Sequence, residues 1–502
     1  MITFSYSQLL GLVAPETILV LTALVVLAVD LLVMRESSLR DRFLVSGLFA
    51  TVGLIIAGAW LLAINVPAPG AHEVVVGLPM LTGMYVDSAL GRLVKVAVLV
   101  LTLCTIVMSL AATFTKHVGE YLALILLATV GMLFLISAED VLMIFIALEL
   151  TSLSLYILTA FNKRSLRSAE AALKYFLFGG MSAAFMLFGL SYLYGLSGST
   201  GLHEIAARLG GPILDPLVAA AIVMVAIGFG FKIAVAPFHL WAPDTYQGAP
   251  TPSAAFIASG SKVASFFVLA KVMTLGLAHS GGSAGWGGYA PGWLPVLAVL
   301  VVLSTFLGNL AAIAQTNVKR LLAYSAIAHA GYALLGILAN SPAGLTALVF
   351  YVITYGLTVL GAFAIVGLVE EATGEARLVD FAGLGRREPM LAFCMLIFLL
   401  SLAGIPPLAG FFGKFYLFAA VAAGGANLSL LWLVVFAIAM SAVSLYYYLQ
   451  VLKQIYVAPS PAEPIALRVP AATRVLLALI TLVILVLGCA PNLLLGYLLA
   501  AQ

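Results

Sequence analysis

Residues 228–262 read GFGFKIAVAPFHLWAPDTYQGAPTPSAAFIASGSK, with Lys232 near one end and Lys262 at the other, both inside apolar runs. From Pro216 to Ala236 the only charge is Lys232. That run has the length of a transmembrane helix, which needs about 20 mainly apolar residues. Pro237 then interrupts it, because proline lacks the N–H donor and its ring clashes with the preceding turn. The polar stretch Phe238–Pro252 follows, and a second apolar run carries Lys262. A charge near the bilayer centre costs about 2.5–3.5 kcal/mol on insertion scales, so such residues face a wet or paired interior. The segment predicts a helix broken inside the membrane beside ionisable groups, an arrangement tolerated only where the backbone is buried or lines a cavity.

The rest of the chain agrees. Of 502 residues, 64% are hydrophobic and 9% charged, with a mean hydropathy of +1.18. A soluble domain carries roughly a quarter charged residues, so the chain reads as an all-α integral membrane protein in contact with lipid. Apolar runs place about fourteen spans, near 14–34, 43–65, 90–114, 119–137, 141–161, 170–195, 214–237, 252–277, 292–316, 320–339, 343–369, 389–421, 427–455 and 472–497. One alternate set of loops holds Arg35, Arg40, Arg42, Lys116, Lys163, Arg164, Arg167, Lys319, Arg320, Arg377, Arg386, Arg387, Arg468 and Arg474; the other holds only Arg208. Basic loops stay cytoplasmic, which predicts both termini on the non-cytoplasmic side. No Lys or Arg precedes the first apolar run, so the N-terminus reads as the first span rather than a signal peptide. The net charge of +3 is dispersed in short clusters, which argues against a nucleic-acid surface. Cys104, Cys394 and Cys489 stand singly, and the six histidines lack paired helical spacing. No iron–sulfur cluster, structural zinc or haem is expected in this chain.

A second interruption, Ala403-Gly-Ile-Pro-Pro407, lies in span twelve and is followed by Gly410 and Gly413. Laying Pro237 on Pro406 puts the breaks in spans seven and twelve, five apart. Broken helices at corresponding places indicate a transporter-like repeat, and an odd number of spans inverts the second copy. The expected organisation is residues 1–114 as spans one to three, 115–280 and 281–456 as two inverted five-helix repeats, and 457–502 as the last span.

Inside the spans lie Glu149, in FIALELTSLSLY, Lys232, Lys262 and, beyond the second break, Lys414; Lys174 opens span six one turn after Glu170. A low-dielectric site pushes a lysine towards its neutral form and a glutamate towards its protonated one, and a neighbouring opposite charge reverses this. Opening and closing a pair between Glu149 and a lysine would load or release a proton. Other residues have plainer readings. Lys271 and Lys453, near span ends, read as snorkelling side chains, and Arg92 and Lys95 as an interfacial pair with Asp87. Lys174 divides evenly between relay and snorkelling. His239 and His329 titrate near neutral pH, but a lone histidine is more often a satisfied donor, as are Tyr246, Tyr324 and Tyr332. Tyr446, Tyr447 and Tyr448 are assigned packing or anchoring only.

Three stretches carry a family resemblance: residues 228–262, KRLLAYSAIAHAGY at 319–332 and SLAGIPPLAGFFGKF at 401–415. They resemble, in order, the antiporter-like membrane subunits of proton-pumping NADH:quinone oxidoreductase, respiratory complex I, and the likeness runs over essentially the whole chain. YQGAPTP after PFHLW is similar to the N-type subunits rather than the M and L types. A lysine at 414, where the M type has glutamate, agrees with N or L, and the chain ends without the lateral helix of the L type. The resemblance implies a proton relay of Glu149, Lys232, Lys262 and Lys414, with Lys232 pairing with Glu149 and Lys174, His239 and His329 on the connecting axis. It also implies a membrane translocase subunit with no redox centre of its own. NADH, FMN, iron–sulfur clusters and quinone would belong to partner subunits, reached through other membrane subunits and a peripheral redox arm. A multi-subunit cation/proton antiporter, a membrane hydrogenase-type pump and a scaffold that has lost transport stay open as alternatives, since the same module serves several machines.

Overall fold

The computed structural model describes residues 10–63, 74–75, 83–210, 214–424, 428–459 and 466–501. Thirteen helices among them are long and apolar enough to cross a membrane. They are α1 (Ala14–Ala28, prolonged by a wider turn to Val33), α2 (Leu39–Ala63), α3 (Ala89–Ser109), α4 (Val118–Ser137), α5 (Val141–Thr159) and α6 (Leu166–Ser197). After the short α7 (Leu202–Leu209) come α8 (Pro216–Ile233), a short α9 (Trp241–Gly248), and α10 (Thr251–Ala258) running into α11 (Gly260–Lys271). Then follow α12 (Trp293–Ile313), α13 (Val318–Leu338), α14 (Pro342–Thr373), the short α15 (Leu384–Arg387), α16 (Pro389–Ala403), α17 (Ala409–Gly424), α18 (Leu431–Tyr456), α19 (Ala471–Cys489) and α20 (Asn492–Ala500). The expected span 389–421 is two shorter helices, α16 and α17, and the expected span 472–497 divides into α19 and α20.

Side chains cap six of these helices at their starts: Ser88, Asp140, Ser165, Asp215, Asn317 and Ser341 each accept a backbone N–H of the first turn. Such caps replace the water that the first-turn donors would otherwise need. The α10–α11 run is buried along its whole length, and α13 and α14 nearly so, while α1, α2, α6 and α18 turn most of their surface outwards. Polar groups therefore concentrate on the central helices.

Both predicted breaks are present and close in the same way. At the end of α8, Ala234 is left-handed (φ 59°), and the N–H groups of Ala234 and Val235 fold back onto the carbonyls of Phe231 and Gly230. At the end of α16, Gly404 is left-handed (φ 89°), with Gly404 and Ile405 folding back onto Ser401 and Leu400. This paired closure satisfies the last carbonyls of a helix. It sets Ala234 opposite Gly404 and hence Pro237 opposite Pro407, not Pro406; the left-handed residue that stops the helix fixes the register. A third interruption was not expected. The α10–α11 run kinks at Ser259 (φ −115°, ψ −84°), three residues before Lys262, at a Ser–Gly pair of the kind that bends helices.

Neighbour relations recur as well. α4 packs on α5 and α11, α5 on α6, and α6 on α8 and α9. In the second set α12 packs on α13 and α18, α13 on α14, and α14 on α16 and α17.

Two charged residues need reassignment. Lys271 does not snorkel: it is 8% exposed and its Nζ lies 2.8 Å from Glu139 Oε1. Lys95 is no interfacial partner of Asp87. Arg92 alone takes Asp87, at 2.9 and 2.5 Å, while Lys95 is buried against Glu16 of α1 at 2.6 Å. Lys453 is exposed, as a snorkelling residue should be.

The closest helix packing involves small residues. A Cβ on Gly308 of α12 would stand 2.6 Å from the backbone N of Ala328 and 2.9 Å from Tyr324 O on α13. Gly308→Val should force α12 and α13 apart at a cost on the order of 1–3 kcal/mol. The expected outcome is a lower thermal unfolding midpoint of the purified assembly; an unchanged midpoint would contradict this packing.

Candidate functional site

The first cluster sits where α5 faces the end of α8. Lys232 Nζ donates to Ser152 Oγ at 2.9 Å, and Ser152 in turn donates to Leu148 O. Glu149 lies three residues before Ser152, one turn along the same face, and its Oε1 is buried without a hydrogen-bond partner among the described residues. The expected Glu149–Lys232 ion pair is therefore not closed in this conformation: Lys232 bonds one turn further along α5, at a hydroxyl. The α8 carbonyls next to it are also claimed, since Trp241 Nε1 donates to Phe231 O at 3.0 Å. Trp241 stacks on Tyr175 at 4.2 Å, which fixes its indole.

The second cluster fills the protein centre. Lys262, 2% exposed just past the Ser259 kink, donates to Ala326 O of α13 at 2.8 Å and lies 5.9 Å from the Tyr355 ring centre. His329 is three residues further along α13. Its Nδ1 is 2.6 Å from Tyr351 Oη and its Nε2 3.1 Å from Tyr448 Oη, which also meets Ser325 Oγ. Neutral imidazole donates through one nitrogen and accepts through the other, so His329 joins two hydroxyls with opposite roles. Tyr332, the next turn of α13, lies under Lys414, whose Nζ is 5.0 Å from the ring centre. Asn309 links the hydroxyls of Tyr332 and Tyr447. Lys414 reaches back across the second break and donates to Leu402 O, Ala403 O and Ser441 Oγ at 2.9, 3.0 and 2.8 Å. An ammonium there meets the unpaired carbonyls and the negative end of the α16 dipole.

The third cluster lies at the basic-loop face. Lys174 contacts Glu170 and Asp244, each at 2.7 Å, and Asp244 also holds Arg320 at 2.5 Å. Lys319 bonds Ala249 O, Thr251 Oγ1 and Glu370. Adjacent residues at the start of α13 thus clamp the linker that joins α8 to α10. Next to the clamp opens a cavity of about 370 Å³ lined by Thr251, Pro252, Lys319, Glu370 and Glu371. Burial alone would raise the Asp244 carboxyl, but Lys174 and Arg320 outweigh it and hold it below the usual range.

Of the expected site residues, Lys262, His329 and Lys414 share one central network, and Glu149 and Lys232 face each other beside it. Lys174 stands off that axis, in the clamp. His239 is half-buried between α8 and α9 and makes no hydrogen bond to a relay lysine among the described residues. Sequence reasoning passed over Ser152, Tyr351, Tyr355, Tyr448, Ser441 and Asp244. It treated Tyr446, Tyr447 and Tyr448 alike, yet Tyr446 is exposed and the other two are fully buried. The helical spacing that separates Tyr446 from Tyr448 was the available signal.

A bundle of membrane-spanning helices with ionisable groups at its interruptions defines an ion-translocating membrane subunit. Residues 138–441 match the family described as NADH:quinone oxidoreductase/Mrp antiporter, TM. The chain is 52% identical to a subunit N of NADH-quinone oxidoreductase from Acidobacterium capsulatum, over 98% of this chain and 99% of that one. A chain of respiratory complex I from Thermus thermophilus superposes with a TM-score of 0.77 at 34% identity, covering 96% and 98% of the two chains. A chain of the Mrp complex from Dietzia superposes at 0.82 but with 22% identity, over 97% and 96%, and shares the fold. The chain belongs to the antiporter-like membrane-subunit family of NADH:quinone oxidoreductase, in its subunit N group.

The clamp has a pH signature. A depressed carboxyl stabilises its contacts above its unfolded value, near 3.9, and loses them as pH falls through the lower folded value. Hydrogen exchange of residues 241–251 should stay protected from pH 8 down to about 4, and Asp244→Asn should raise exchange there at every pH. Equal exchange in wild type and variant would remove Asp244 from the clamp.

Proposed function

We propose that this chain moves protons across the membrane through Glu149, Lys232, Lys262, His329 and Lys414, as the subunit N of a proton-pumping NADH:quinone oxidoreductase. The observation that carries the reading is the placement of three buried lysines at the three helix interruptions. Each break removes backbone bonds that rigid helices keep, so the lysines sit where the scaffold can change shape at least cost. NADH, FMN, iron–sulfur clusters and quinone are assigned to partner subunits, joined through other membrane subunits and a peripheral redox arm, with lipid around the outward apolar helices.

Glu149 acts as the switch. Closed onto Lys232 it pairs with the ammonium; open, with Lys232 on Ser152, it leaves the ammonium without its counter-charge and free to pass its proton on. The proton crosses the α8–α11 contact to Lys262, a gap no side-chain hydrogen bond among the described residues spans, so an intervening water carries it. From Lys262 water carries it to His329, which passes it between the hydroxyls of Tyr351 and Tyr448, and water again takes it on to Lys414. Lys174 belongs to the basic-face clamp that feeds the relay, and His239 lines the α8–α9 hinge. The recurring neighbours and matching breaks support two inverted repeats, 115–280 and 281–456, flanked by 1–114 and 457–502. The basic loops support a cytoplasmic basic face with both termini opposite.

Removing a positioned proton-transfer group costs roughly 10²–10⁴-fold in its step. Glu149→Ala and Lys262→Met in the assembled complex should therefore lower protons moved per NADH oxidised. Normal pumping and quinone reduction in both assembled variants would end the relay assignment.

A further inference from the structure

The matched family region begins at residue 138, and the relay lies within it. Ahead of it, Glu16 on α1 and Lys95 on α3 are each 1% exposed. Lys95 Nζ lies 2.6 Å from Glu16 Oε1 and 2.6 Å from Tyr85 Oη. Tyr85 Oη is also 3.2 Å from Glu16 Oε1 and 3.3 Å from Leu12 O. All of this engages one carboxylate oxygen. The other, Oε2, is buried with no hydrogen-bond partner among the described residues. Replacing a buried ion pair by apolar residues is often neutral or stabilising, and a buried acceptor left without a partner is destabilising. Structural pinning does not account for an unfilled oxygen.

Polar side chains recur at two-turn intervals along α3 from this cluster towards the other membrane face. On α3, Lys95, Thr102 and Ser109 recur every seven residues and so share one face. Thr102 meets Thr129 of α4 hydroxyl to hydroxyl at 3.0 Å, and Ser109 meets the Tyr121 hydroxyl at 3.5 Å. Tyr121 meets Ser253 of α10 at 3.2 Å. Ser253 adjoins Thr251 and Pro252, which line the basic-face cavity. At the opposite face, Tyr85 pairs through its backbone with Ala138, beside the Glu139 that holds Lys271. Lys271 is nine residues beyond Lys262 on α11, so the cluster adjoins the helix of the central lysine. The Tyr85 hydroxyl is pushed up to about 12, by burial first and with Lys95 pulling it back, so it stays a neutral donor and acceptor.

We propose that Glu16, Lys95 and Tyr85 form a second proton-holding site, at the membrane face opposite the basic loops and reached along the polar face of α3. A proton taken up at the open oxygen of Glu16 converts its carboxylate to the acid, Lys95 stays on Tyr85 as the ammonium, and release returns the proton to that face. The proposal rests on the proton-translocating reading above, and its test separates the two. Glu16→Gln keeps shape and an acceptor oxygen but cannot hold the proton; Glu16→Leu/Lys95→Met removes the pair as a unit. Lys262→Met serves as the relay control. Protons moved per NADH oxidised are measured in membrane vesicles carrying the whole complex, with assembly checked on native gels. Both Glu16 variants should assemble and pump less per NADH, with transfer through the site slowed about 10²-fold. If they pump at the wild-type ratio while Lys262→Met does not, the cluster is only a pin and the proposal falls. If Lys262→Met pumps normally, it is the relay reading that fails, and a loss in Glu16→Gln still supports this site. Should the double variant not assemble, the isosteric Glu16→Gln decides alone.

Discussion

In lipid no water is available to complete a broken helix, so every interruption must find its partners within the protein. That constraint organises this molecule. The first break is closed by Trp241 on the Phe231 carbonyl and by Ser304, which accepts Ala236 N–H. The second is closed by Lys414 on the Leu402 and Ala403 carbonyls and by Ser401, which accepts Gly410 N–H. The groups that complete the backbone are the same ones, or neighbours of the ones, that form the proposed relay. A change at either place is felt at the other.

Helix α13 gives this local rule a longer reach. Its first turn holds the α9–α10 linker through Lys319 and Arg320; its middle accepts Lys262 at Ala326 and presents His329; its next turn places Tyr332 under Lys414. One nearly fully buried helix therefore touches the linker of the first break, the central lysine and the lysine of the second break. Coupling between the halves needs no chain of loosely packed side chains, because a packed helix moves as a unit.

Much of this was legible in the sequence because lipid leaves few options. Apolar length marked the membrane helices, and prolines marked two of three interruptions. The third, at Ser259–Gly260, carries no proline and hid inside an apolar run. The buried lysines were legible because a charge in an apolar run is expensive. Their partners were not: Ser152, Tyr351 and Ser441 are ordinary in any membrane helix, and only the fold brings them to a lysine. Lys95 and Lys271 were misread for the same reason, since Glu16 and Glu139 are 79 and 132 residues away in the chain. The break register was off by one because two consecutive prolines look equivalent in sequence, whereas the left-handed residue before them is unique.

Lys232 and Lys414 each rest on a serine hydroxyl, Ser152 and Ser441. A carbonyl only accepts, so it suits an ammonium and has nothing to give a bare amine. A hydroxyl can turn round. When the lysine is charged the serine offers its lone pair; when the lysine has lost its proton the same serine can rotate and donate to the nitrogen. Both charge states then keep a full set of bonds without moving the main chain. Lys262, held by the Ala326 carbonyl, has no such reversible neighbour among the described side chains that bond it. In the proposed relay the two outer lysines can rest in either form, and the middle one is a place of passage.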